Sequence, residues 1–260
     1  MAALNDSSRE RSSALNDSSR ERSSALNDSS RERSSALIFD LRTTKLREVN
    51  ATLHGADLAG DFVIRNPDGA HNVAVGLDAP VRVTVEGHVG YYAAGMNQQA
   101  EVVIEGNAGT GVAENMMSGS VWVKGNASQS AGATGHGGLL VIEGSAAARC
   151  GISMKGIDIV VGGDVGHMSA FMAQAGRLVV RGDAGEALGD SIYEARLYVR
   201  GSVASLGADC VAKEMRAEHH EELEMLLKAA GFEDDDTASY TRYGSARELY
   251  HFHVDNTGAY

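Results

Sequence analysis

The chain has 260 residues, 43% of them hydrophobic, with a formal net charge of -12. That is enough apolar residue for one sizeable core, and an acidic chain repels phosphate backbones, which argues against nucleic-acid binding. Two cysteines, Cys150 and Cys210, are too few for a disulfide framework, no apolar run is long enough to span a membrane, and the polar N-terminus lacks a secretory h-region, so a cytoplasmic protein is expected.

Residues 3–35 are three copies of one 11-mer, ALNDSSRERSS. Each copy offers a single Ala-Leu pair, too little to offset the entropy of ordering a Ser-rich, charge-balanced segment. Residues 1–35 are therefore read as a disordered repeat tail. Residues 36–82 contain short apolar runs and the turn signal Asn66-Pro67-Asp68-Gly69, and read as an irregular lead-in.

From residue 83 to 206 a glycine recurs every 19 residues: Gly87, Gly106, Gly125, Gly144, Gly163, Gly182 and Gly201. Apolar residues stand four and two positions before each one, from Val83 and Val85 to Leu197 and Val199. The next residue is always polar, and the one after that always Val or Ala. Alternation of this kind means strands with one face inward, and a 19-residue unit is too short to bury that face alone. Stacking coil on coil closes the core, so the fold class is an all-β solenoid of about seven coils, roughly 34 Å long at about 4.8 Å per coil. The glycine is expected to turn the chain sharply out of each strand with a positive φ.

Three positions before each glycine stand Thr84, Val103, Trp122, Val141, Val160, Val179 and Tyr198, which point away from the core yet are mostly apolar. A stripe this long should be covered. Val103, Trp122, Val141, Val160, Val179 and Tyr198 are assigned to an interface with another polypeptide, the chain's own flanks being the other possible cover. Ala208 to Ala230 reads as a helix with Val211, Met215, Leu223, Leu226 and Leu227 near one stripe. Residues 240–260 read as a docking tail. The domains are thus 1–35, the solenoid 36–206, and the C-terminal helix and tail 207–260.

Motifs for chemistry are sparse. There is no G-x-G-x-x-G and no phosphate-binding G-x-x-x-x-G-K-[ST]. His251-Phe252-His253 could be half a metal site but lacks a third ligand, and Gly162-Gly163-Asp164 occurs once, which excludes a calcium ladder. His219-His220-Glu221-Glu222 matches a zinc-protease helix only loosely and reads as a solvated helix face; Cys150, beside Arg149, reads as an inert buried thiol.

The repeated Val-x-Val-x-Gly-polar-Ala frame resembles the GXGXG domain, the right-handed parallel β-helix at the C-terminus of the glutamate synthase large subunit. Longer runs resemble its stand-alone GlxC-type form, the β-helix subunit of N-methylglutamate synthase: Gly90–Asn97, Ala113–Gly119, Arg149–Gly156, Gly166–Met172 and Arg242–Arg247. The resemblance covers residues 36–256. It implies a scaffold without cofactor, metal or catalytic residues of its own, so it leaves open whether the chain is itself to be called an enzyme. The partners it implies are a class II glutamine amidotransferase-like subunit and an FMN-binding, iron–sulfur glutamate synthase-like subunit, joined in a hetero-oligomer. Other readings of the same repeat are the scaffold of a different glutamate-synthase-like amidotransferase, or a β-helix like the one in formylmethanofuran dehydrogenase.

Overall fold

The structure is a computed structural model and describes residues 36–55 and 58–248. The triple repeat, His251-Phe252-His253 and the end of the docking tail lie outside those residues.

Among the described residues eleven strands form one sheet, the first nine adjacent in chain order, followed by the eleventh and then the tenth. Seven follow the 19-residue period: β3 (Arg82–Glu86), β4 (Glu101–Ile104), β5 (Ser120–Val123), β6 (Leu139–Ile142), β7 (Lys155–Val161), β8 (Ala175–Val180) and β9 (Arg196–Val199). All pair in parallel with equivalent residues opposed: Val83 meets Val102, then Val121, Leu140, Ile159, Leu178 and Leu197. These inward residues are fully buried, each contributing about 1.5–3 kcal/mol by the area it removes from water. The chain is therefore a parallel β-solenoid of about seven turns.

The lead-in is more regular than its sequence. β1 (Leu37–Asp40) and β2 (Asp61–Arg65) extend the same parallel sheet, Phe62 and Ile64 opposing Val83 and Val85. Between them α1 (Leu46–Leu53) closes the bottom of the column by burying Val49 and Leu53. Asn50 satisfies the backbone groups of the lowest turn, its Nδ2 donating to the Asn72 carbonyl at 2.8 Å and its Oδ1 accepting the Ala74 N–H at 3.1 Å.

After each strand the Val-or-Ala position forms a second ladder of single bridges, Val89–Ala108–Ala127–Ala146–Val165–Ala184–Val203. Between the two ladders lie the glycine and its polar successor, and here the expectation of a positive φ is corrected. Only Gly87, at φ 142°, has one; the other six period glycines do not. What they need is space. The polar side chain of each coil accepts the backbone N–H of the equivalent residue one coil on: His88 to Asn107, Asn107 to Asn126, Asn126 to Ser145, Ser145 to Asp164, Asp164 to Asp183 and Asp183 to Ser202, at 2.7–3.0 Å. A Cβ on Gly125, Gly144, Gly163, Gly182 or Gly201 would fall 2.1–2.4 Å from the oxygen that makes this bond.

The top of the column differs from expectation as well. Residues 208–216 are not helical. β10 (Cys210–Lys213) pairs antiparallel with β11 (Thr241–Ser245), which itself pairs antiparallel with β9. The edge of β9 is satisfied by the chain's own end, which outweighs the local helical pattern around Val211. The helix, α2, is shorter, Ala217–Ala229.

Candidate functional site

Two faces of the column carry side chains that the core does not need. The first is the outward stripe. Val141, Val160, Val179 and Tyr198 are fully buried, packed with Leu223, Leu226, Leu227 and Ala230 of the α2 segment and with Tyr240. The stripe thus lies under protein, but over these four residues the cover is this chain's own C-terminal helix and not a partner, which corrects their assignment to an intermolecular interface. Val103 is buried at 6% exposure and Trp122 is partly buried at the rim of the helix cluster. The Trp122 indole N–H donates to Glu143 Oε1 at 3.0 Å, and the Lys124 ammonium sits 5.3 Å from its ring centroid.

Two carboxylates clamp the helix segment to the solenoid. Glu222 receives Arg196 at 2.6 Å, Arg177 at 3.3 Å and the Tyr198 hydroxyl at 2.6 Å. Asp235 takes a bidentate bond from Arg181, at 2.7 and 2.8 Å, with Arg200 at 3.2 Å and the Tyr240 hydroxyl at 2.7 Å. The bonds from Arg181 hold the Asp235 carboxyl at about 2, below the usual carboxylate range. Arg181 and Arg200, each one residue before a period glycine, are therefore clamp residues. His219 is also buried, not solvated: its Nδ1 accepts the Arg216 N–H at 3.1 Å and caps the helix, and burial lowers its pKa.

The second face is the third run of every turn. Three columns of residues have left-handed backbone, φ 52–73°, in seven successive turns. They are Asn72, Tyr92, Gly111, Ser130, Arg149, Met168 and Ala187; Ala74, Ala94, Ala113, Gly132, Gly151, Ala170 and Gly189; and Gly76, Met96, Asn115, Thr134, Ser153, Met172 and Ser191. Left-handed backbone costs an L-residue about 1–2 kcal/mol. Interlocking backbone bonds offset it: the Tyr92 and Met96 N–H groups donate upward to Thr110 and Glu114, the Ala94 N–H downward to Val73, at 2.8–2.9 Å. The middle column faces the core and holds only Ala or Gly; a Cβ at Gly132 would lie 2.6 Å from Ile159 Cδ1.

The outer two columns and their neighbours present Tyr91, Met96 and Met117, exposed by 44–48%, with Met168, Phe171 and Met172 partly exposed. Tyr91 stacks on Tyr92 at 5.5 Å, and the Tyr92 hydroxyl accepts from Asn115, whose Oδ1 accepts from Thr134. Burial raises the pKa of Glu114 on this face. Four of the five runs that carry the family resemblance, Gly90–Asn97, Ala113–Gly119, Arg149–Gly156 and Gly166–Met172, lie here; the fifth, Arg242–Arg247, overlaps β11. The face escapes a sequence reading because most of its left-handed residues are not glycine.

Cys150 is fully buried beneath this face and its thiol is pushed up to about 12 by desolvation, so it is not a nucleophile. Among the described residues, no three His, Cys, Asp or Glu side chains gather where they could hold a metal ion, and no helix is long and apolar enough to cross a membrane.

No family model matches the chain. It is 61% identical over 226 residues to Protein GlxC of Rhizobium meliloti (strain 1021), an overlap of 86% of this chain and 99% of that protein.

Proposed function

The chain belongs to the GlxC family, and on that premise we propose that it is the structural, non-catalytic subunit of a glutamate-synthase-like complex, specifically N-methylglutamate synthase. That complex makes N-methylglutamate from glutamate and methylamine and releases ammonia. In this reading the flavin and iron–sulfur cluster belong to a synthase-like partner and glutamine-amidotransferase-like chemistry to another, while this chain holds the two in register.

The observation that carries the reading is this second face, built by the third run of every turn. Its motif runs are long and specific, yet many of their side chains lie outside the core and join no acid–base pair or nucleophile. Residues specified in that way at a surface serve contact more readily than chemistry. The column beneath is suited to spacing two bodies, because every turn is bonded to the next through two ladders, the polar side-chain file and the left-handed lattice.

An omission experiment tests it. The chain and the two partner subunits are purified separately and mixed in all combinations with glutamate and methylamine. Only the three-part mixture should make N-methylglutamate at full rate, and this chain alone should carry no stoichiometric flavin absorbance. Full activity from the partners without this chain, or turnover by this chain alone, would reject the assignment.

A further inference from the structure

The second face, built by the third run of every turn, is not uniform in charge. Residues 128–138, 147–157 and 166–176, its crossings in three successive coils, contain no Asp or Glu. At 35 acids per 260 residues, 33 residues should carry about 4. The same crossings present Arg149, Lys155 and His167, all exposed, around Ile152, Met168 and Phe171, which are partly exposed. Arg149 and Met168 stand in one left-handed column, the Arg149 N–H donates to the His167 carbonyl at 3.0 Å and the Ser153 N–H to the Phe171 carbonyl at 2.8 Å, so the runs 149–153 and 167–171 lie one on the other, with Lys155 following at the start of β7. Acidic residues bound it on both sides along the column, Glu114 in the turn before and Glu186, Asp190 and Glu194 in the turn after.

We propose that this acid-free, cation-rimmed apolar patch, centred on Phe171 and Ile152, is the seat of an acidic segment of a protein partner that also offers an apolar side chain. The proposal rests on the scaffold reading and names which face docks and what it docks. Charge complementarity selects the occupant. A patch with cations at its rim on a chain of net charge -12 attracts a local acidic segment while the rest of the surface repels one. A nucleic acid fits poorly, since three coils span only about 14 Å and both flanks are acidic. The outward stripe is not available from Val141 to Tyr198, where α2 covers it.

The test uses the full-length tagged chain expressed in its own host, with its native partners. A photo-crosslinking benzoylphenylalanine replaces Phe171, and in a control replaces the exposed Glu105 on the strand edge. Crosslinked peptides are identified by mass spectrometry. In parallel, Arg149→Glu with Lys155→Glu is compared with the charge-keeping pair Arg149→Lys with Lys155→Arg for co-purifying partner at low and high salt.

The proposal predicts that position 171, and not 105, captures an Asp/Glu-rich peptide of a different polypeptide. Charge reversal should reduce co-purification by about tenfold or more at low salt, with the conservative pair close to wild type and the difference narrowing at high salt. A crosslink to a second copy of this chain, to nucleic acid or to lipid overturns it, as does a captured peptide without acids. Normal co-purification of the reversed variant overturns the patch while leaving the scaffold reading intact. A wild-type chain that purifies with no stoichiometric partner overturns both. The crosslink is read on a chain with both cations present, so it decides even if the reversed variant fails to fold.

Discussion

Replacing Gly163 by Ala separates two reasons for a period glycine. If the residue were needed for its backbone conformation, the penalty would be independent of its neighbours. The structure gives another cause. The added Cβ would lie 2.4 Å from Ser145 Oγ, whereas the nearest backbone atom, the Gly144 carbonyl oxygen, is 3.1 Å away. Ser145 Oγ in turn accepts the Asp164 N–H at 3.0 Å. Gly163→Ala must therefore turn Ser145 away, lose that bond and leave a tight contact, a cost of about 1–3 kcal/mol. Ser145→Ala alone removes only the bond, about 0.5–1.5 kcal/mol. In the double variant the clash has gone and the bond can be lost only once, so the two effects should fall short of additivity by about 0.5 kcal/mol or more. Urea denaturation followed by circular dichroism gives all four stabilities. Additivity to within about 0.3 kcal/mol would refute the steric account.

Three further outcomes follow from the core and the clamp. Val161→Asp places an unpaired carboxylate among fully buried residues and should cost several kcal/mol, abolishing the cooperative melt; a melting temperature within a few degrees of wild type would refute the inward register. Asp235 titrates lower in the folded protein than in the unfolded chain, so its clamp is at full strength above the unfolded carboxylate range, near pH 4, and is lost as pH falls toward 2. Asp235→Asn should lower the melting temperature at pH 7 and flatten its dependence between pH 4 and 2, and an unchanged profile would show that the clamp does not hold the helix. Leu223→Asp with Leu227→Asp should detach α2 and shift Trp122 emission to the red while strand circular dichroism persists; emission identical to wild type would mean that the helix does not shelter that ring.

The solenoid is legible because a unit that cannot bury its own apolar face has to repeat the same inward pair, and Val102/Ile104 or Ile159/Val161 recur with no drift in period. The polar residue after each glycine is equally visible, but its purpose is not, since Asn126 accepting from Ser145 exists only once the coils are stacked. Val211 is hidden for a related reason: its neighbourhood has helical spacing, and only the return of Thr241–Ser245 along β9 turns it into a strand. The cover of the apolar stripe is open in the sequence because Leu223, Leu226 and Leu227 lie some sixty residues or more beyond Val160. Least legible is the left-handed lattice, in which Tyr92, Arg149 and Met168 adopt a backbone that their residue types do not announce.

Native mass spectrometry of the tagged full-length chain, isolated gently from its own host, tests the scaffold assignment most directly. The account predicts one defined hetero-oligomer containing this chain, an amidotransferase-like subunit and a flavin-bearing synthase-like subunit in fixed stoichiometry, with no flavin mass on this chain when the assembly is dissociated. A chain that flies alone, or that itself carries the flavin after dissociation, would contradict it.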